Sequence, residues 1–237
     1  SYNEASYGGG FYSYQTKVDI NGGAITDNKS KNQGGGAYVN FNVITMKGGV
    51  IARNRAGSDG GGIMVDGATN IVEDTWFVVG GGVIEENYAG GEGGAIYLDY
   101  ATNVEMYDGV IRNNTANSHG GAISCYYTSS ENKDSYLHIY YGSIIGNVSK
   151  NGNGGGIYWK QDENLYLTNC IITGNSAPKG YGGGVYFDEA CRSIVFGGTV
   201  ILPDGVAHIR EHLVVPNTTQ NVTVEGVGTV SAEGGGV

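Results

Sequence analysis

Five tyrosines, Tyr12, Tyr38, Tyr97, Tyr158 and Tyr186, return at nearly regular intervals, with Asp66 and Asp99 two residues beyond that column. A tyrosine ring offers a flat face to a sugar or a partner side chain, and its hydroxyl offers a hydrogen bond. Carboxylates on adjoining repeats could hold Ca²⁺, which prefers several oxygen ligands. The equivalent positions in neighbouring repeats, however, carry Tyr126 and Lys160. The acid column is therefore broken and reads as a solvated face, and no cofactor is expected. Catalytic tools are not assembled in the sequence. It has no Asp-Asp pair, no Asn-Thr-Asp and no Asp-Pro-His, and His119, His138, His208 and His212 are scattered. Sugar-cleaving chemistry needs a pair of carboxylates flanking the scissile bond, and none is proposed by the spacing.

What must position these residues is a repeat. Gly60-Gly61-Gly62-Ile63-Met64-Val65-Asp66 recurs as GGGAYVN from Gly34, GGAIYLD from Gly93, GGAISCY from Gly120, GGGIYWK from Gly154 and GGGVYFD from Gly182, with a looser copy from Gly8. A period of this length signals a solenoid. A second marker, an aliphatic residue followed by x-x-Asn, supplies Asn28, Asn54, Asn87, Asn114, Asn147 and Asn175. Two residues beyond each asparagine stands a small residue, as at Ser30 or Ala56. Between the markers lies an alternating run such as Ile44-x-Met46 or Val104-x-Met106. Alternation with period two and no helical periodicity predicts three short strands per repeat.

Three strands per coil, with equivalent residues restacking at each turn, predict an all-β, right-handed parallel β-helix of the pectin-lyase-like kind, about eight or nine coils long. Ile63 and Val65 should face inward, and Met64 and Asp66 outward, while Ile25, Ile51, Ile84, Ile111, Ile144, Ile172 and Val200 should form a third inward column. The asparagines are expected to be structural, their amides bonded coil to coil. Cys125 falls on an inward column and reads as a small core residue. A disulfide between Cys170 and Cys191 is not expected, since they occupy different repeat positions.

Gly93-Gly94-Ala95-Ile96 and Gly120-Gly121-Ala122-Ile123, alternating with x-x-Asn motifs such as Ile84-Glu85-Glu86-Asn87, resemble the repeats of chlamydial polymorphic outer membrane proteins. They are also similar to the adhesin-like β-helix repeats of large surface proteins in gut bacteria and archaea. The resemblance covers about residues 8–187. It implies a β-helix at the cell surface and leaves open how the protein is anchored.

The expected layout is one domain over 1–237, with regular coils at 8–193 and irregular ones at 194–237, cut from a larger surface protein whose flanking domains are its neighbours. A net charge of −10 argues against nucleic acid, where lysine and arginine must neutralise phosphates. No stretch is apolar enough to insert in a membrane as a helix. Two coils carry longer spans between the first and second strands, Asp66–Trp76 and Tyr126–Tyr136, with one short-looped coil between them. Insertions on one edge often mark a binding face, and two such walls would frame a cleft roughly 10 Å wide. Trp76, Tyr100 and Tyr127 in these loops join the tyrosine column as binding candidates. The outward second-strand column, Asp19, Thr45, Val78, Glu105, His138 and Tyr166, lacks the threonine regularity of an ice-binding surface. The sequence is thus expected to be a non-enzymatic, extracellular, cell-attached or secreted adhesin or stalk that binds a host protein or glycan. The alternative is a polysaccharide lyase or glycoside hydrolase built on a β-helix.

Overall fold

The computed structural model describes residues 2–40, 43–67, 75–99, 102–126, 136–160 and 165–187, and strand backbone at 194–197, 199–201, 206–207, 213–214 and 223–225. Tyr100, Tyr127 and Cys191 lie outside the described residues. Those described form parallel strands in three sheets and no helix. The chain is an all-β parallel β-helix solenoid, and its coils are numbered here from Gly8, Gly34, Gly60, Gly93, Gly120, Gly154 and Gly182.

The first sheet is built from the strand after each glycine corner: Phe11–Tyr14, Ala37–Asn40, Ile63–Asp66, Ile96–Asp99, Ile123–Tyr126, Ile157–Lys160 and Val185–Phe187. Its register follows the repeat. Ile63 stands opposite Ala37 and Ile96, and Val65 opposite Val39 and Leu98. Together with the second-strand pairs Ile44 and Met46, Phe77 and Val79, Val104 and Met106, these residues fill one continuous core. Each buried aliphatic side chain contributes roughly 1.5–3 kcal/mol, so stacked columns hold the coils without a helix. Cys125 and Cys170 are buried thiols in this core.

Two expectations need correction. The alternating run and the x-x-Asn marker do not form separate faces. In coils 3 and 4 they fuse into single strands, Thr75–Glu85 and Thr102–Arg112, within one large sheet. The glycines between them interrupt the register of that sheet, with shifts at Val79/Gly80 and Gly80/Val83. The third face comes from two-residue strands beyond each asparagine: Lys29–Ser30, Arg55–Ala56, Tyr88–Ala89, Thr115–Ala116 and Val148–Ser149. Ser30, Ala56, Ala89, Ala116 and Ser149 are buried there, which explains the small-residue position in the repeat. The column led by Ile25 is the second correction. It runs in register through Ile51, Ile84, Ile111, Ile144 and Ile172. It was expected to continue to Val200, but Ile201 pairs with Ile171, which places Val200 opposite Cys170.

The real corner is held by the asparagines. Asn114 Oδ1 accepts from the backbone N–H and the amide of Asn87, and Asn114 Nδ2 donates to Asn147 Oδ1 and to the Ile84 carbonyl. The same pattern links Asn28, Asn54, Asn87, Asn147 and Asn175. The backbone N–H groups of Asn28, Asn54, Asn87, Asn114 and Asn147 each find a partner in the side-chain oxygen of the next asparagine. The residue just before each asparagine is left-handed, with φ from 54° to 60° at Asp27, Arg53, Glu86 and Asn113.

Candidate binding site

The outward column of the first sheet is not the open face expected of it. Tyr38, Tyr97 and Tyr158 are only 8%, 8% and 4% exposed, and Met64 and Ser124 are buried with them. The alternation itself holds, since Tyr38, Met64 and Tyr97 form an apolar cluster separate from the core. What covers part of this face is the side chain preceding the corner glycine of the coil before. Tyr7 packs edge-on against Tyr38 at 5.5 Å, Glu92 accepts a 2.8 Å hydrogen bond from Ser124 Oγ, and His119 stacks on Tyr158 at 4.3 Å. Tyr12 is 52% exposed at the end of the column, stacked on Tyr38, and Tyr186 is partly exposed against Tyr158. Rings stacked coil on coil spend their faces on each other. This column therefore supports the solenoid more than it offers a surface.

The acids beside it are held in the same way. Asp66 and Asp99 stand in register on adjacent coils. Asp66 Oδ2 accepts from the Tyr38 hydroxyl at 2.5 Å and from Asn40 Nδ2 at 2.8 Å. Burial raises the Asp66 carboxyl above its usual range, against the opposing pull of the Tyr38 hydrogen bond. Burial also raises the Tyr38 hydroxyl, helped by Asp66. Glu92 is pushed up to about 7, again mainly by burial. Among the described residues no group of three or more His, Cys, Asp or Glu side chains is placed to hold a metal ion.

The open aromatic surface lies on the second sheet instead. Trp76, the last residue of the coil 3 insertion, stands in register with Asn103 of coil 4. The Tyr136 backbone N–H donates to Asn103 Oδ1, which seats Tyr136 on the other side of the same residue. The Trp76 and Tyr136 rings meet edge to face, 5.5 Å apart at 81°. The two long loops thus return to the solenoid side by side, and their last residues touch over the short-looped coil. At this level the expected cleft is closed.

Beside that pair runs a stack of four rings. Tyr107 lies on Tyr140 at 4.7 Å and 3°, Tyr140 on His138 at 3.5 Å, and His138 on Tyr166 at 4.9 Å. Glu105 stands in register with His138 and receives the Tyr107 hydroxyl at 2.9 Å on one oxygen and the Tyr136 hydroxyl at 3.1 Å on the other. That bond to Glu105 pushes Tyr107 up to about 12, whereas burial raises Tyr136 and lowers His138. Tyr107 and Tyr141 are 44% and 54% exposed. Tyr107, Tyr136, Tyr140 and Tyr141 were not singled out from the sequence. Glu105, His138 and Tyr166 appeared there only as an irregular column. The missed signal was the run of ring-bearing residues at one position of coils 5 and 6, next to the returns of both insertions.

Elsewhere, Glu85 and Arg112 form a cross-coil ion pair at 2.7 Å. No curated protein and no solved structure matches the chain. Two stretches, residues 80–99 and 108–126, match the Chlamydia polymorphic membrane protein (Chlamydia_PMP) repeat, a repeat of outer-membrane proteins that points to the cell surface.

Proposed function

We propose that this solenoid is a non-catalytic adhesive or stalk segment of a cell-surface protein, and that it holds a host protein or glycan on the second-sheet face bearing Tyr107, Tyr136, Tyr140 and Trp76. The observation that carries this reading is the Trp76–Tyr136 contact with the four-ring stack beside it, on the edge where both insertions return. Exposed aromatic side chains are enriched where proteins bind partners. The repeat match supports the surface location.

The test is a binding screen of the 237-residue chain against host-surface proteins and a glycan array, beside the Tyr107→Ala/Tyr140→Ala double variant. A ligand whose affinity falls at least about tenfold in the variant, with unchanged far-UV circular dichroism, supports the reading. Ligands held equally well by both proteins remove this face from consideration. Release of reducing or unsaturated sugar ends in the same assay would instead favour the polysaccharide lyase or hydrolase.

A further inference from the structure

Among the described residues, the ring stack has one open end. Tyr140 covers one face of Tyr107, and Tyr107 is still 44% exposed. On its other side coil 3 supplies glycine: Gly80 pairs with Asp108, and Gly80 through Gly82 carry no side chains toward this position. Glu105 sits on the same strand face two residues away, its two oxygens each taken once by a tyrosine hydroxyl. A carboxylate oxygen has two lone-pair sites, so each keeps one acceptor position. Asp108, exposed, follows Tyr107 directly and spends Oδ1 on the Gly109 N–H.

We infer that the Tyr107 end of the stack is a docking point for a guanidinium group, an arginine side chain of a partner protein. The argument is complementarity of shape and charge. A guanidinium is planar, stacks on an aromatic face and presents a fork that matches a carboxylate. Here an open tyrosine face and the Glu105 carboxylate lie side by side, in a chain of net charge −10. Among the described residues no cation occupies the position: the lysine and arginine placed over a ring, Arg55 and Lys150, are both on Tyr88. Lys47, exposed before the Gly48-Gly49 break of coil 2, is not among the cations placed over a ring. A lysine ammonium would fit less well, being a strongly hydrated point charge without the flat fork. This deepens the adhesion reading and rests on the same face.

The experiment titrates the chain with a blocked oligoarginine peptide and with an oligolysine peptide of equal length. The expected result is tighter binding of oligoarginine, reduced about five- to thirtyfold by Tyr107→Ala and by Glu105→Gln. Tyr107→Phe, which keeps the ring, should stay within about threefold of the parent. Glu86→Gln, which removes the same charge from an exposed position in another corner, should stay within about twofold. The inference is overturned if Tyr107→Ala binds like the parent, if oligolysine binds as well as oligoarginine, or if Glu86→Gln matches Glu105→Gln. Competition separates it from adhesion as such. A host ligand lost in Tyr107→Ala but not displaced by oligoarginine keeps the face and sinks the guanidinium. Tyr107-dependent oligoarginine binding without any host ligand does the reverse.

Discussion

Trp76 and Tyr136 belong to coils 3 and 5, yet their rings meet at 5.5 Å over Asn103 of coil 4. Side chains two coils apart are roughly 10 Å distant at the backbone, so only large rings reaching over a short residue could close that gap. The contact should therefore contribute to stability beyond what each ring buries. A double-mutant cycle with Trp76→Ala and Tyr136→Ala is expected to give a coupling energy of about 0.5–1.5 kcal/mol. Tyr136→Ala should also shift the emission of Trp76 to the red and expose it to iodide, while Trp159, fully buried in the core, stays unquenched. Additive single effects would mean the rings lie together without holding one another.

The asparagine edge makes a sharper claim. Replacing Asn114 by alanine strands the buried backbone N–H of Asn87, at roughly 1–3 kcal/mol, and removes the amide's bonds to Asn147 Oδ1 and the Ile84 carbonyl. A loss of about 3 kcal/mol or more is expected in urea unfolding. Asn114→Asp keeps the acceptor but sets a carboxylate oxygen against the Ile84 carbonyl and Asn147 Oδ1. It should be worse than alanine at neutral pH and recover partly in acid. Equal stability of the two variants at all pH values would show that the ladder works by shape alone.

These two edges mark the limits of legibility. The inward columns and the asparagine ladder were readable because a solenoid repeats its chemistry at fixed spacing, so Ile63, Ile96 and Ile123 name one another. The first-sheet tyrosines misled because exposure depends on the next layer. Nothing in the spacing of Tyr158 says that His119, from the preceding coil, will lie on it. The third face was missed because its strands are two residues long, too short for any periodicity. The ring stack on the second sheet was overlooked for a related reason. Tyr107 and Tyr140 meet across coils at positions where the register is interrupted by glycine, and alternation loses count there.

Glycine positions that look alike in sequence should behave in opposite ways. A Cβ on Gly94 would stand 2.2 Å from the Gly121 carbonyl oxygen and 2.6 Å from the Thr115 carbonyl carbon, both backbone atoms. Gly94→Ala must push coil 4 away from coil 5, and it is expected to yield little folded protein. Gly22 has nothing within 4 Å of such a Cβ and no left-handed φ. Gly22→Ala should keep or raise stability, by up to about 1 kcal/mol, through the lower entropy of the unfolded chain. Thermal melts of the pair decide it, and a Gly94→Ala protein melting near the parent would contradict the coil-to-coil packing described above.

Stability should also fall between mildly acidic and neutral pH, with Glu92 a principal cause. Its carboxyl is half-buried on the first-sheet face, beside Asp59 and Asp99, and burial raises it from 4.5 to about 7. The folded protein therefore binds this proton more tightly than the unfolded chain does. The resulting stabilisation is complete below about pH 4.5 and is lost as pH rises through 7. Its full size is about 3 kcal/mol, at 1.36 kcal/mol per pH unit. Asp66, raised by burial, adds to the same slope. Glu92→Gln keeps an acceptor for Ser124 Oγ and carries no charge. Its unfolding free energy should match the parent near pH 4.5 and exceed it at pH 8. Parallel pH profiles for the two proteins would show that Glu92 ionises in the folded state as readily as in the unfolded one, and that the face it covers is wet.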